Sequence, residues 1–109
     1  MHTCVTYKPR NPAPPELLPM LLEGAKQWLD RHGDKFTTLW FYPQGGGCGM
    51  SETADEAELM EIMTDNPFTP YCDVEVQVCV DPRTALDIYG RMLAERMAAM
   101  GAGNGAPAA

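Results

Sequence analysis

The chain has 109 residues, room for one core at the usual domain size of about 100 to 200 residues. Its 8 basic and 15 acidic side chains give a formal charge of -7 at pH 7, which repels phosphate backbones and anionic lipid, so neither nucleic acid nor a membrane surface is an expected partner. Met1 to Arg10 lacks the basic start and apolar run of a secretory signal and no apolar stretch is long enough to cross a bilayer, so a cytoplasmic protein is expected.

Thr3 to Tyr7 is β-branched and aromatic, as in a short strand, and the prolines at 9, 12, 14 and 15 end it in a stiff connection. The period then changes. Leu18, Leu21, Leu22, Ala25, Trp28 and Leu29 recur at three- and four-residue spacing and predict a helix with one apolar face, ended by Gly33 in a left-handed position. Pro19 leaves the start of that helix open, because proline is harmless only in the first turn.

Phe36 to Tyr42 carries large side chains on both alternating sets, which predicts a strand covered on both faces. Gln44 to Ser51 reads as a turn into a glycine-rich strand where a bound group or another backbone comes close. A phosphate-cradling loop is the sharper reading of the same glycines, but the Gly-Lys-Ser/Thr ending is missing.

Thr53-Ala54-Asp55-Glu56 matches a capping box and predicts a helix to about Met63, with Leu59, Ile62 and Met63 as its apolar stripe. Asp65-Asn66-Pro67 ends it. Cys72 to Val80 then alternates, with Cys72, Val74, Val76, Val78 and Val80 on one face and Asp73, Glu75 and Gln77 on the other. Asp81-Pro82 opens a last helix with Leu86, Tyr89, Met92, Leu93 and Met97 pointing inward. Residues 101–109 contain only Gly, Ala, Asn and Pro, and a disordered tail is expected there.

The order is strand, helix, strand, strand, helix, strand and an extra helix, an α+β chain of ferredoxin-like βαββαβ topology with residues 1–100 as its single domain. Two helices cover one side of a four-stranded sheet, so the other side is polar or meets another sheet. Self-association as a homodimer or a higher homo-oligomer follows, and a domain that buries only about two-thirds of its unfolded surface gains from it.

The run Glu58-Leu59-Met60-Glu61-Ile62-Met63-Thr64-Asp65-Asn66-Pro67-Phe68-Thr69-Pro70-Tyr71-Cys72-Asp73-Val74-Glu75-Val76 resembles the muconolactone isomerase family. There too the second helix ends in a proline turn, a Pro-Tyr pair follows, and the last strand begins with alternating acidic and aliphatic residues; Leu39-Trp40 is also similar. The resemblance implies a dimeric α/β barrel, often assembled further, and a cofactor-free isomerase. Its implied substrate is a cyclic or aromatic-derived carbonyl compound, on which it transfers a proton. Glycines at 45–47 in place of a bulkier segment and a longer last helix depart from the family pattern and bear on its pocket. Barrels of this shape are also similar to cofactor-independent monooxygenases and polyketide cyclases. A non-catalytic ligand-binding or assembly module is the alternative outside enzymes.

An isomerase needs a base beside a carbonyl and a donor for the enolate oxygen. Glu23, at helical spacing from Lys26 and near the apolar stripe, is the candidate base, with Lys26 beside the substrate; a solvated surface pair is the other reading. His32 ends the same helix, where the negative helix end favours its charged form with or without a function. Tyr71, reached through Pro67 and Pro70, is a candidate donor or pocket wall. Trp28, Trp40 and Tyr42 would line a flat apolar pocket, or pack in the core. Asp73 and Glu75 share a strand face and read as polar contacts. Cys4, Cys48, Cys72 and Cys79 form no CxxC pair, and His2 and His32 complete no zinc-ligand spacing, so free, mostly buried thiols and no metal are expected.

Overall fold

The computed structural model describes residues 1–104 and divides into two compact units, Met1–Cys79 and the stretch from Val80 onward. The first unit runs β1 (His2–Pro9), α1 (Leu18–His32), β2 (Phe36–Phe41), β3 (Gly47–Glu52), α2 (Glu56–Asp65) and β4 (Cys72–Cys79). Its four strands form one antiparallel sheet in the order β2-β3-β1-β4. This is the α+β, ferredoxin-like topology that the element order predicts.

Strand register sorts the side chains into two faces. Thr3, Val5 and Tyr7 pair with Ser51, Gly49 and Gly47 on one side and with Val78, Val76 and Val74 on the other. This face meets the helices: Val5, Leu21, Trp28, Ile62 and Met63 are its buried apolar residues. Thr3 and Ser51 are fully buried there, and their hydroxyls bond each other across β1 and β3. The opposite face carries Cys4, Thr6, Thr38, Trp40, Cys48, Met50, Asp73 and Glu75. Its carboxylates are paired within the sheet, Glu75 to Lys8 at 3.0 Å and Asp73 to Arg10 at 2.9 Å.

The strand expected over Phe36 to Tyr42 to be covered on both faces is the sheet edge β2, with Trp40 70% and Phe41 62% exposed. Three further local points are settled by the structure. Pro19 falls within the first two positions of α1, where its missing N–H costs nothing. Gly33 is right-handed, at φ -58 and ψ -31, because the helix tightens into a 3-10 turn over Gly33–Lys35 that delivers the chain to β2. Among the described residues the glycines at positive φ are Gly45 and Gly46, in the β2–β3 hairpin. The cap of α2 lies two residues beyond Thr53: Asp55 accepts from the Glu58 N–H at 2.9 Å, and Glu58 reaches back to the Ala54 N–H at 3.3 Å. Thr53 is tied to the first residue instead, its N–H bonded to the Met1 carbonyl at 3.0 Å and its carbonyl to the terminal ammonium at 2.6 Å.

Side chains tie α1 to α2. The buried Trp28 indole donates to the Ile62 carbonyl at 2.8 Å, and its ring tilts against Phe36 with centroids 5.5 Å apart. At the far end Asp65 receives Arg31 at 2.8 Å and His32 at 2.7 Å. The His32 and Arg31 bonds hold the Asp65 carboxyl below its ordinary value.

The second unit contains α3 (Pro82–Asn104), opened by Asp81, whose carboxylate accepts from the Thr84 N–H at 3.1 Å. The stripe expected to point inward is exposed in this single chain, Leu86, Tyr89, Met92, Leu93 and Met97 all being solvent-facing. The helix continues past Gly101 to Asn104, and the rest of the expected tail, 105–109, lies outside the described residues. No helix among the described residues is long and apolar enough to cross a membrane.

Two outcomes are expected. A Cβ added at Gly49 would lie 2.9 Å from both the Phe36 ring and the Thr38 carbonyl oxygen, so Gly49→Ala should lower unfolding stability by about 1–3 kcal/mol in chemical denaturation. Because the folded Asp65 pKa is depressed, its contribution is present above the unfolded value and is lost as pH falls through the folded one. Asp65→Asn should therefore denature earlier than the native chain near neutrality, with the gap closing as pH is lowered through the carboxylate range.

Candidate ligand-binding site

The strand β3 is built with glycine where the helix face needs space. Gly47 and Gly49 alternate toward the helices, and Phe36, Leu39 and Phe41 of β2 lean over the positions their side chains would fill. A Cβ on Gly47 would come within 2.6 Å of the Trp40 carbonyl oxygen. At Gly46, φ is +81 and a side chain would run into the Tyr7 carbonyl. These glycines form a turn and a floor, without the helix that a phosphate-cradling loop leads into.

Above this floor lies a cavity of about 430 Å³, within the range of small-molecule sites. Helix α1 supplies Leu18, Leu22, Ala25 and Trp28, the sheet supplies Val5, Tyr7, Leu39 and Phe41, and the segment after α2 supplies Asn66, Phe68, Tyr71 and Cys72. Among the described residues no Asp, Glu, Lys, Arg or His lines it; its other polar residues are Asn11, Tyr42, Gln44 and Cys48. Burial pushes the Tyr7 hydroxyl above its ordinary pKa, and the Cys72 thiol is raised for the same reason. A hydrogen bond with Cys48, then burial, raises Tyr42. All three stay protonated at neutral pH, so the lining is uncharged.

One corner is held by an ordered set of bonds. Tyr7 Oη lies 3.0 Å from Thr69 Oγ1 and 3.8 Å from Met63 Sδ. Thr69 Oγ1 donates to the Met63 carbonyl oxygen at 2.7 Å, and Asn66 Oδ1 accepts from the Phe68 N–H at 2.9 Å.

Of the residues singled out from the sequence, Trp28, Tyr42 and Tyr71 come together on this lining. Glu23 and Lys26 sit on the exposed side of α1, outside the lining, because the turn of the helix carries them off the Leu18–Leu22–Ala25 stripe. Among the described residues no ion pair joins them. Trp40 is 70% exposed on the opposite sheet face. His32 belongs to a separate, polar crevice with Lys35, Asp55, Glu58 and Glu61; there Lys35 and Glu58 pair at 3.0 Å. Tyr7, Asn66, Thr69 and Cys72 were not singled out as site residues. The alternation of Thr3, Val5 and Tyr7 carried a signal for the first, whereas Asn66 reads only as a helix terminator.

The chain matches no protein-family model and no curated protein. Among the solved structures similar to it are two enzymes. Muconolactone isomerase superposes with a TM-score of 0.63 at 20% identity, over 75% of this chain and 92% of that one. The 5-chloro-2-hydroxyhydroquinone dehydrochlorinase TftG of Burkholderia phenoliruptrix AC1100, in complex with 2,5-dihydroxybenzoquinone, superposes with a TM-score of 0.52 at 15% identity, over 77% of this chain and 98% of that one. At such identities the likeness is one of fold. With its antiparallel β2-β3-β1-β4 sheet and the α1–α2 layer on one face, the chain has the ferredoxin-like fold of muconolactone isomerase.

Proposed function

We propose that this chain is a cytoplasmic, self-associating enzyme of the muconolactone isomerase-like group. It binds a small, uncharged cyclic or aromatic-derived carbonyl compound in the cavity beneath α1 and moves a proton on it. The observation that carries this reading is the lining itself: aromatic and aliphatic walls, a glycine floor, and hydroxyl, amide and thiol groups with no formal charge. A charged ligand would lose its hydration there without a countercharge, whereas a flat neutral ring gains apolar contact and finds a few polar anchors. Muconolactone isomerase is named for a lactone, and TftG for a chlorinated hydroxyhydroquinone, with a dihydroxybenzoquinone bound. All are small oxygenated rings of a size this cavity admits.

Glu23 and His32 lie away from the lining, and the Cys48 thiol with its partner Tyr42 hydroxyl belongs to the outer sheet face, so the proton-carrying groups on the helix side of the lining are Tyr7, Tyr71 and Cys72. A protonated tyrosine can hand a proton to a developing enolate or share a hydrogen bond with it. The same lining favours a second reading, ligand binding without chemistry, because no carboxylate or imidazole stands ready there as a base.

Self-association rests on the outer sheet face, where Trp40 is 70% exposed. A large aromatic on one side of an open sheet is the kind of surface a second copy covers.

With Trp40→Phe, Trp28 is left as the one indole of the chain's two. Its emission should change saturably on titration with small lactones and hydroxyquinones, and exchange of a ring-adjacent proton into heavy water should be seen by NMR. Tyr71→Phe should slow that exchange by about tenfold or more. Saturable binding with no exchange assigns the non-catalytic reading, and absence of binding across the panel overturns both. Separately, sedimentation should show an oligomer at micromolar concentration, shifted toward monomer by Trp40→Glu; a native chain that sediments as a monomer would overturn self-association.

A further inference from the structure

The donors and acceptors around Tyr7 decide which oxygen-bearing group a ring can present to this cavity, an inference that rests on the ring-binding reading above. In an uninterrupted helix the Met63 carbonyl would accept from the N–H of residue 67. That residue is Pro67, which has none. Thr69 fills the gap, its hydroxyl donating to the Met63 oxygen at 2.7 Å. A threonine has a single hydroxyl proton, so Thr69 Oγ1 can meet Tyr7 Oη, 3.0 Å away, only as an acceptor. The Tyr7 proton is thereby directed into the protein, and its other neighbour, Met63 Sδ at 3.8 Å, is an acceptor as well.

What Tyr7 retains for the cavity is an oxygen lone pair. Asn66, also on the lining, has its Oδ1 engaged by the Phe68 N–H at 2.9 Å. That bond assigns the amide orientation and turns the NH₂ group toward Tyr7 Oη, leaving its second N–H and the second Tyr7 lone pair for a ligand. One corner of a largely apolar cavity thus offers an acceptor and a donor side by side.

We propose that Tyr7 and Asn66 form a specificity element for a ring hydroxyl, phenolic or enolic: the ligand O–H donates to Tyr7 Oη and its oxygen accepts from Asn66 Nδ2. A keto or ether oxygen at the same place satisfies Asn66 but sets its lone pairs against those of Tyr7. That leaves a part-buried acceptor without a donor, which disfavours the ligand. For a carbonyl substrate that shifts a proton, the corner holds the enol form in preference to the keto form. Thr69 acts through Tyr7 and is a positioning residue.

The probe pair is 2-naphthol and 2-methoxynaphthalene, which share a ring system and differ in the one proton, with binding followed by calorimetry on the full chain. The native protein should prefer the naphthol by about tenfold. Tyr7→Phe should bring the two affinities together mainly by weakening the naphthol, while retained binding of the methoxy compound reports an intact cavity. Thr69→Val releases the Tyr7 proton and should strengthen methoxynaphthalene, narrowing or reversing the preference; Thr69→Ser, which keeps the donor, should behave as the native chain. Equal affinities for the two compounds in the native protein would overturn the specificity element while leaving ring binding intact, and failure of both to bind would overturn the ring-binding reading with it. An unchanged preference in a folded Thr69→Val would overturn the assigned direction of the Tyr7 proton. Should that variant not fold, an unchanged preference in Tyr7→Phe decides against the proposal by itself.

Discussion

The constraint from which the site follows is the C-terminal end of α2, where helical carbonyls run out of N–H partners. Asn66 leaves the helix with extended backbone and Pro67 has no N–H, so the oxygens of Ile62 and Met63 must be satisfied from elsewhere. Trp28 of α1 supplies the first donor at 2.8 Å and Thr69 the second at 2.7 Å. Both are side chains, and both do a second thing by being there. The Trp28 bond fixes α1 against α2 and sets an indole into the cavity wall; the Thr69 bond determines how Tyr7 can use its proton. An unmet buried carbonyl costs about 1–3 kcal/mol, so these side chains are held in place by the helix end and not by the ligand.

The cavity exists because bulk was left out of one strand. In a sheet of this size, side chains from the central strands ordinarily fill the space beneath the helices. Gly47 and Gly49 leave it open, and Phe36, Leu39 and Phe41 reach across from the neighbouring strand without closing it. The backbone approach this allows is too tight for a Cβ, so the glycines are required by packing as well as by the void. The surrounding charges are kept to other surfaces. Lys8, Arg10, Asp73 and Glu75 pair at the sheet's outer face and edge, while Arg31, His32 and Asp65 bind at the end of α1. The cavity is uncharged because ion pairing and hydration are available outside it and not inside it.

The four-stranded layer, the two crossing helices and the two faces of β4 were legible in the chain, since period-2 alternation in Cys72 to Val80 and three- and four-residue spacing in Leu18 to Trp28 sort side chains by face; that β2 is an edge with one open side was not, because its large side chains stand on both alternating sets. The glycine run was legible as a place of close approach. Caps were less so: Thr53 offers a capping hydroxyl as good as the Asp55 carboxylate, and the choice fell to Asp55 because the chain terminus bonds both backbone groups of Thr53. Glu23 and Trp40 illustrate the same limit at the site. A carboxylate one position from an apolar stripe and an indole in a two-faced strand each have two permitted directions, and pairing register and helix rotation selected the outward one for both.

The sequence by itself determined the order of elements, the acidic charge balance and the proline that leaves Met63 without a helical donor, because each is written in the composition or in neighbours a few residues apart. Only the tertiary structure decided that Tyr7, Asn66 and Thr69 meet in one corner, that the lining has no charge, and that His32 answers to Asp65 across a different crevice. Those pairings join residues some 30 to 60 positions apart, as with Tyr7 and Thr69 at a separation of 62. Local spacing carries no information about which distant donor a buried acceptor will find.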